Sequence, residues 1–150
     1  MAWPDAIDDV DAAPSGNLGT TTPTHRQSHD QYRTALIEVK DYVTGYTNHG
    51  NTGTTETVTS STVTTHRIVL DNNCTLTFAT GASGAAYTFT LVVVQDGTGS
   101  RTITWPGSVD WAGGTAPTLS TGANKVDVFT FLTVDGGTTW WGFTAGLDMR

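Results

Sequence analysis

The sequence has few basic residues and no basic stripe or cluster. It contains 7 Lys and Arg residues against 14 Asp and Glu residues, which gives a formal net charge of -7 at pH 7 and a pI of about 4.7. Clustered cations bind nucleic acids and anionic membrane surfaces by displacing their counterions. The charge balance therefore argues against both kinds of partner.

Cysteine and long apolar runs are also scarce. The single cysteine, Cys74, excludes an intrachain disulfide, and its place in "NCTLTF" predicts a small buried side chain. No run of 18 apolar residues occurs, and the opening "MAWPDAIDDVDAAP" lacks the basic and apolar regions of a signal peptide. We therefore expect a soluble protein that is made in a cytoplasm.

Threonine and glycine dominate what is present. The hydrophobic share is 37%, and the chain has 17 glycines, with about thirty threonines among its 150 residues. Such a composition suits strands and tight turns. The length suits one ordinary domain with an accessory segment.

Residues 1–23 are acidic and proline-containing, and they have too few apolar residues to form a core. Trp3, Ile7 and Val10 nevertheless recur at intervals of four and three, which makes a short apolar stripe. We interpret this segment as an extended arm that anchors the protein to a partner through these three residues. The alternative is a disordered tail.

Residues 24–43 are predicted to form a helix, with Thr24 able to cap its start and Gly45 just past its end. Its apolar positions repeat at heptad spacing, which favours self-association over packing of one helix on its own β domain. Ile37, off this seam, supports the second possibility. The seam consists of His25, His29, Tyr32, Leu36, Val39 and Val43.

His25 and His29 are four residues apart and could share a metal ion on one face of the helix. No acidic or cysteine ligand lies at a matching spacing, so we expect no metal site. The pair more simply forms the polar end of the seam.

Residues 44–62 are rich in glycine, threonine and asparagine and are predicted to be a joint that passes into the first strand. His49 and Glu56 are expected to be surface residues there. Residues 63–150 alternate like strands, with predicted hairpin turns at 71–73, 96–97 and 135–137. Three hairpins would make a small antiparallel β-sandwich or barrel-like domain.

The strand at 126–132 is apolar on both faces, with Phe129 and Phe131 on one of them. A strand of this kind must be covered on both sides. In such a small domain the second cover is plausibly another subunit, so Phe129 and Phe131 are predicted interface residues, together with Tyr32, Leu36, Val39 and Val43.

No arrangement of residues typical of catalysis is found. The β segment has His66 as its only imidazole, and Asp71, Asp96 and Asp135 occur at predicted turns. These observations predict a protein without enzymatic activity.

Trp105 and Trp111 lie six residues apart in a loop broken by proline and glycine. They could plug one end of the β fold, which we favour, or form an aromatic platform for a sugar. Trp140 and Trp141 are adjacent in a strand and must therefore point to opposite faces. The candidate glycan contacts are Trp105, Trp111 and Trp140.

Several spaced blocks resemble the C-terminal β domain of tailed-bacteriophage tail-fibre and minor structural proteins. They are "TWP" at 104–106, the loop at 111–119, "KVDVFTF" at 125–131 and "DGGTTWWGF" at 135–143. The resemblance covers roughly the last ninety residues. It implies a homotrimer on a virion, made in the host cytoplasm, with no enzymatic activity and no cofactor.

A single short helix separates the arm from the β domain, whereas tail fibres usually have long shafts. This favours a trimeric capsid decoration (cement) protein or short spike, whose partner would be the major capsid protein or another virion protein. The alternative is a short tail fibre or receptor-binding protein that contacts host surface glycans.

Overall fold

The computed structural model of the protein describes residues 25–60, 63–79 and 81–149. They begin with one helix, α1 (His25–Thr44), which confirms the helix predicted from the sequence. The chain divides within α1 into two units, residues 1–39 and residues 40–150.

Nine strands follow α1 in the described part of the second unit. They are β1 (Tyr46–Asn51), β2 (Thr55–Thr59), β3 (Thr65–Leu70), β4 (Cys74–Ala79), β5 (Tyr87–Gln95), β6 (Ile103–Thr104), β7 (Val109–Trp111), β8 (Val126–Thr133) and β9 (Trp140–Gly146). The first sheet has the order β1-β3-β5-β8-β9-β7, and the second has the order β2-β4-β6.

The first six strands form a stack of three coils, each of which contributes one strand to each sheet. Within the stack, β1, β3 and β5 are parallel neighbours in the first sheet, and β2, β4 and β6 are parallel neighbours in the second. Short corners let the chain cross between the sheets after each strand of the stack. Among these six strands, the odd-numbered ones therefore lie in one layer and the even-numbered ones in the other.

The last strands close the first sheet by antiparallel pairing. Strand β8 pairs antiparallel with both β5 and β9, and β7 adds to β9 in parallel. The loop between β8 and β9 contains Gly136 and Gly137 at φ of +78° and +95°, which glycine adopts readily. This is the third hairpin predicted from the sequence, and it is confirmed.

The expected class, a mainly β protein with one helix and a small sandwich, is confirmed, but the sandwich is not antiparallel throughout. The hairpins predicted at 71–73 and 96–97 are wrong, because β3 and β4 lie in different sheets, as do β5 and β6. At both places the chain crosses between layers. The Oδ1 atom of Asp71 accepts the Gly53 N–H at 2.8 Å, and Asp96 accepts the Gly99 N–H at 2.7 Å.

Residues 44–62, expected to be a joint, contain β1 and β2. The first coil of the stack therefore begins two residues after α1 ends. Glycine and threonine in this stretch form corners and short strands. Linkers are rich in the same residue types, so composition alone does not separate the two cases.

Aromatic rings from both sheets fill the core. Phe78 of the second sheet lies edge-on to Phe89, Phe131 and Trp140 of the first, with ring centroids 4.8 to 5.7 Å apart. Phe129 and Phe131 are both 0% exposed. Their predicted role as subunit contacts is therefore wrong: Phe131 packs on Phe78 of the second sheet, and Phe129 packs on Trp105 and Trp111 of the same chain.

The opposite face of the first sheet carries an apolar patch that is partly open to solvent. Strand register places Val92 beside Val128, and Leu132 beside Trp141, on this face. Trp141 is 43% exposed and Phe143 is 53% exposed. We call this surface, which carries Val92, Val128, Leu132, Trp141 and Phe143, the outer face.

Candidate functional site

The loop that holds Trp105 and Trp111 folds against the core. The two rings contact each other edge-on at 5.1 Å, and they lie 5.1 and 6.0 Å respectively from the ring of Phe129. Both indoles are half-buried. This packing agrees with the plug interpretation and leaves each ring only a partial edge for a ligand.

The adjacent pair Trp140 and Trp141 point to opposite faces, as alternation requires. Trp140 is 0% exposed and packs edge-on against Phe89 at 5.2 Å. Its predicted role in glycan contact is therefore wrong, because a ligand cannot reach it. Trp141 is the exposed member of the pair.

A shallow cleft of about 260 Å³ opens beside the tryptophan loop. Trp111, Pro117 and Phe143 supply apolar walls, and Thr115 and Thr144 supply hydroxyl groups. Aromatic and proline surfaces beside hydroxyls can hold the apolar face and the hydroxyls of a sugar ring.

A second polar arrangement links the first two coils. The Nδ1 atom of His49 lies 3.1 Å from Oε1 of Glu56, and its Nε2 atom lies 3.1 Å from Nδ1 of His66. These residues belong to β1, β2 and β3. His49 and Glu56 are only 14% and 19% exposed, so their predicted place as simple surface residues is wrong.

His66 is the buried end of this arrangement. It is 1% exposed, contacts the edge of the Phe89 ring at 5.6 Å, and its Nε2 atom has no hydrogen-bond partner among the described residues. Burial and the neighbouring His49 ring lower the pKa of His66 from its ordinary 6.5 to about 4, although a hydrogen bond with the Val63 backbone raises it. His66 is thus held neutral and out of reach of a substrate.

The local sequence missed this chain of hydrogen bonds because His49 lies at an irregularity in β1. The register of β1 against β3 shifts between Asn48 and Gly50. The extra residue lets the His49 ring reach the inward-facing His66. A β-bulge of this kind has no clear signal in alternation.

The aspartates at the corners act in turn chemistry, as predicted. Backbone N–H groups of Thr98 and Gly99 and the Arg101 side chain donate to Asp96, and the pKa of Asp96 is lowered, first by Arg101. Asp135 accepts the Thr139 N–H at 3.0 Å, and that bond is the main cause of its lowered pKa.

Cys74 is a buried free thiol, as the sequence predicted, and burial raises its pKa. Among the described residues, no group of three His, Cys, Asp or Glu side chains could hold a metal ion. In the same part of the chain, no helix is both long enough and apolar enough to span a membrane.

The predicted helical seam is exposed where its side chains are described. Tyr32, Leu36 and Val39 are 69%, 68% and 60% exposed, and Ile37 is 58% exposed. The other predicted contacts, Val43 by its side chain and Trp3, Ile7 and Val10 entirely, lie outside the described residues.

The described features are an aromatic cleft, an exposed helical seam and an apolar outer face on a sandwich of stacked strands. Such surfaces are typical of assembly and binding domains. Residues 46–139 match the family model described as "Putative phage tail fibre C-terminal domain", and the chain belongs to this family. The match begins where β1 begins and spans all three coils.

No curated protein and no solved structure matches the chain. The family identifies the chain as a phage structural protein, associated with the virion and with other virion proteins. This confirms the resemblance seen in the sequence.

Proposed function

We propose that the chain is a non-enzymatic, homotrimeric subunit of a short phage tail fibre or spike. The observation that carries this proposal is the family match over 46–139, which takes in the whole coil stack and most of the closing strands. In the proposed assembly the helices of the three copies associate with one another.

Two apolar surfaces support association with further copies of this chain. One is the seam of Tyr32, Leu36 and Val39, which is exposed at heptad spacing. The other is the outer face, whose apolar side chains are flanked by only two charged ones, Arg67 beside Val92 and Asp110 beside Trp141. In a chain of net charge -7, copies repel each other least where charge is sparse.

The molar mass of the purified chain in solution tests the trimer. Light scattering after gel filtration should give about 48 kDa, three times the 15.9 kDa of one chain. Leu36→Asp should lower that mass, because it places a charge in the seam, whereas Ser28→Asp should leave it unchanged. A mass near 16 kDa for the unaltered chain would contradict the trimer.

We assign attachment to the acidic arm, with Trp3, Ile7 and Val10 as its contacts. Three weak arms on one trimer gain strength by avidity. Deletion of residues 1–14 should leave the trimer intact but abolish binding to purified particles. Full retention of particle binding would contradict this role.

The length of the sequence favoured capsid decoration, while the family favours the tail. A cement protein and a tail subunit differ in number and position on the particle. Gold-labelled antibody against the chain should therefore mark the tail region in electron micrographs. Labelling distributed over the capsid would instead support decoration.

Contact with host surface glycans is the second candidate function, and the cleft beside Trp111 and Phe143 favours it. Of the original candidates, Trp105 and Trp111 keep partly accessible rings. Phe143→Ala should reduce binding of the purified protein to host cells at least tenfold, because it removes one wall of the cleft. Val134→Ala, which also changes a side chain that is 54% exposed, is the matched control. Equal binding by both variants would exclude the cleft.

A further inference from the structure

The hydrogen-bonded chain Glu56–His49–His66 ties the first coil to the second. His49 and Glu56 lie in the two strands of the first coil, and His66 lies in the first strand of the second coil. Both links are 3.1 Å long. Strands β1 and β2 are the outermost strands of their sheets, so each has backbone hydrogen bonds to a neighbouring strand on one side only. The side-chain hydrogen bonds add to this limited backbone pairing.

The contacts fix where the ring protons lie. An ionised Glu56 only accepts, so Nδ1 of His49 carries a proton and donates it. In a neutral His49 the Nε2 atom is then an acceptor, so Nδ1 of His66 is the donor to it. The remaining nitrogen, Nε2 of His66, is unprotonated and buried without a partner.

A further proton on His66 disrupts this arrangement. It goes to Nε2, which places a charged donor at a buried atom that has no hydrogen-bond partner among the described residues, beside the Phe89 ring.

The groups around the pair do not supply a compensating acceptor at that position. From β2 the facing carboxylate is Glu56, whose described contacts are with His49 and the Thr57 N–H. The nearest titratable group of β4 is the raised-pKa thiol of Cys74, and Asp71 at the adjoining corner accepts from Gly53. Strand β5 presents the ring of Phe89.

We propose that Glu56, His49 and His66 form an acid-sensitive latch, which releases strands β1 and β2 from the rest of the stack when His66 takes up a proton. The lowered pKa of His66 agrees with this geometry, because His66 binds a proton more weakly when the first coil is packed on the second than when the first coil is released. This latch does not depend on the assignment to tail or capsid.

The sign follows from linkage. His66 has a folded pKa of about 4, below the ordinary 6.5 that it regains when the coil opens. Closure is therefore fully favoured above pH 6.5, weakens as the pH falls from 6.5 towards 4, and levels off below that. Uptake of one proton changes the opening equilibrium about tenfold per pH unit in this window.

Hydrogen exchange of the full chain, followed by mass spectrometry from pH 7.5 to 4.5 and corrected for the intrinsic pH dependence of exchange, tests the latch. Peptides from 46–59 should lose protection by about fortyfold between pH 6.5 and 4.5, because the change is less than tenfold per unit near each end of the window. Peptides from β8 should keep theirs. Constant protection of 46–59 over this range would overturn the proposal.

Variants identify the groups responsible. His66→Gln removes the titrating ring and should abolish the selective loss in 46–59, whereas Glu38→Gln, which changes an exposed titratable side chain of α1 outside the seam, should leave it intact. An unchanged pH response in folded His66→Gln would also overturn the latch.

If His66→Gln does not fold, nitrogen NMR shifts of the histidines in the unaltered protein give the answer. They should show His66 neutral, with its proton on Nδ1, above pH 6.5. A charged His66 at pH 6.5 would contradict the proposal.

Discussion

Trp140 and Trp141 form a natural matched pair, since they are chemically identical neighbours on opposite faces of β9. Trp140 is fully buried, and its ring lies 5.2 and 5.7 Å from the rings of Phe89 and Phe78. Truncation of a buried tryptophan to alanine costs about 3–5 kcal/mol, through lost burial and the cavity left behind. Since whole domains have about 5–15 kcal/mol of stability, Trp140→Ala removes a large part of it.

Trp141→Ala should behave differently. With 43% of the side chain exposed, the loss in the free energy of unfolding should be below about 1 kcal/mol. Because Trp141 lies on the outer face, the same substitution should weaken association between copies. The pair therefore separates the core from the assembly surface.

Urea unfolding monitored by circular dichroism measures the difference. The comparison should be made at a protein concentration at which both variants have the same molar mass. For a slope of about 2 kcal/mol/M, the midpoint should fall by about 2 M for Trp140→Ala and by less than about 0.5 M for Trp141→Ala. Equal shifts for the two variants would refute the assignment of faces.

Three further predictions concern the core and the corners. Gly99→Ala should lower the free energy of unfolding in urea by about 1–3 kcal/mol, because Gly99 has φ of +74° and an added Cβ would lie 2.5 Å from the Thr121 carbonyl oxygen. Gly97→Ala should leave stability unchanged, because an added Cβ there meets open space. Asp127→Ala should lower the free energy of unfolding by on the order of 3 kcal/mol in the same assay. It leaves three hydrogen-bond donors, which lie 2.7 to 3.0 Å from this buried carboxylate, without their acceptor. Cys74 should react with a thiol reagent only as fast as the protein unfolds, and rapid reaction in the folded state would contradict its burial.

Alternation in the sequence located most strands but not their partners. Ile68 and Leu70 before the 71–73 corner, and Leu76 and Phe78 after it, all face the core. A hairpin and a crossing between two sheets give the same inward and outward pattern, because both keep one face of each strand on the core. Which strands share hydrogen bonds is decided by the global stack, and no local signal reports it.

Three candidate site residues, Trp140, Phe129 and Phe131, were wrong for a related reason. Local sequence shows that Trp140 and Trp141 point in opposite directions and that Phe129 lies on an apolar face, but not which face meets the second sheet. His49 and His66 are seventeen residues apart and meet only because successive coils stack in register. Their contact depends on a bulge in β1. Both results required the three-dimensional arrangement.

The most direct test of the central claim is the number of copies of this chain per purified virion, measured by quantitative mass spectrometry relative to the major capsid protein. A homotrimeric tail subunit should be present in a small multiple of three, far below the capsid protein. A copy number comparable with that of the capsid protein would contradict a tail location and would identify the trimer as a capsid decoration.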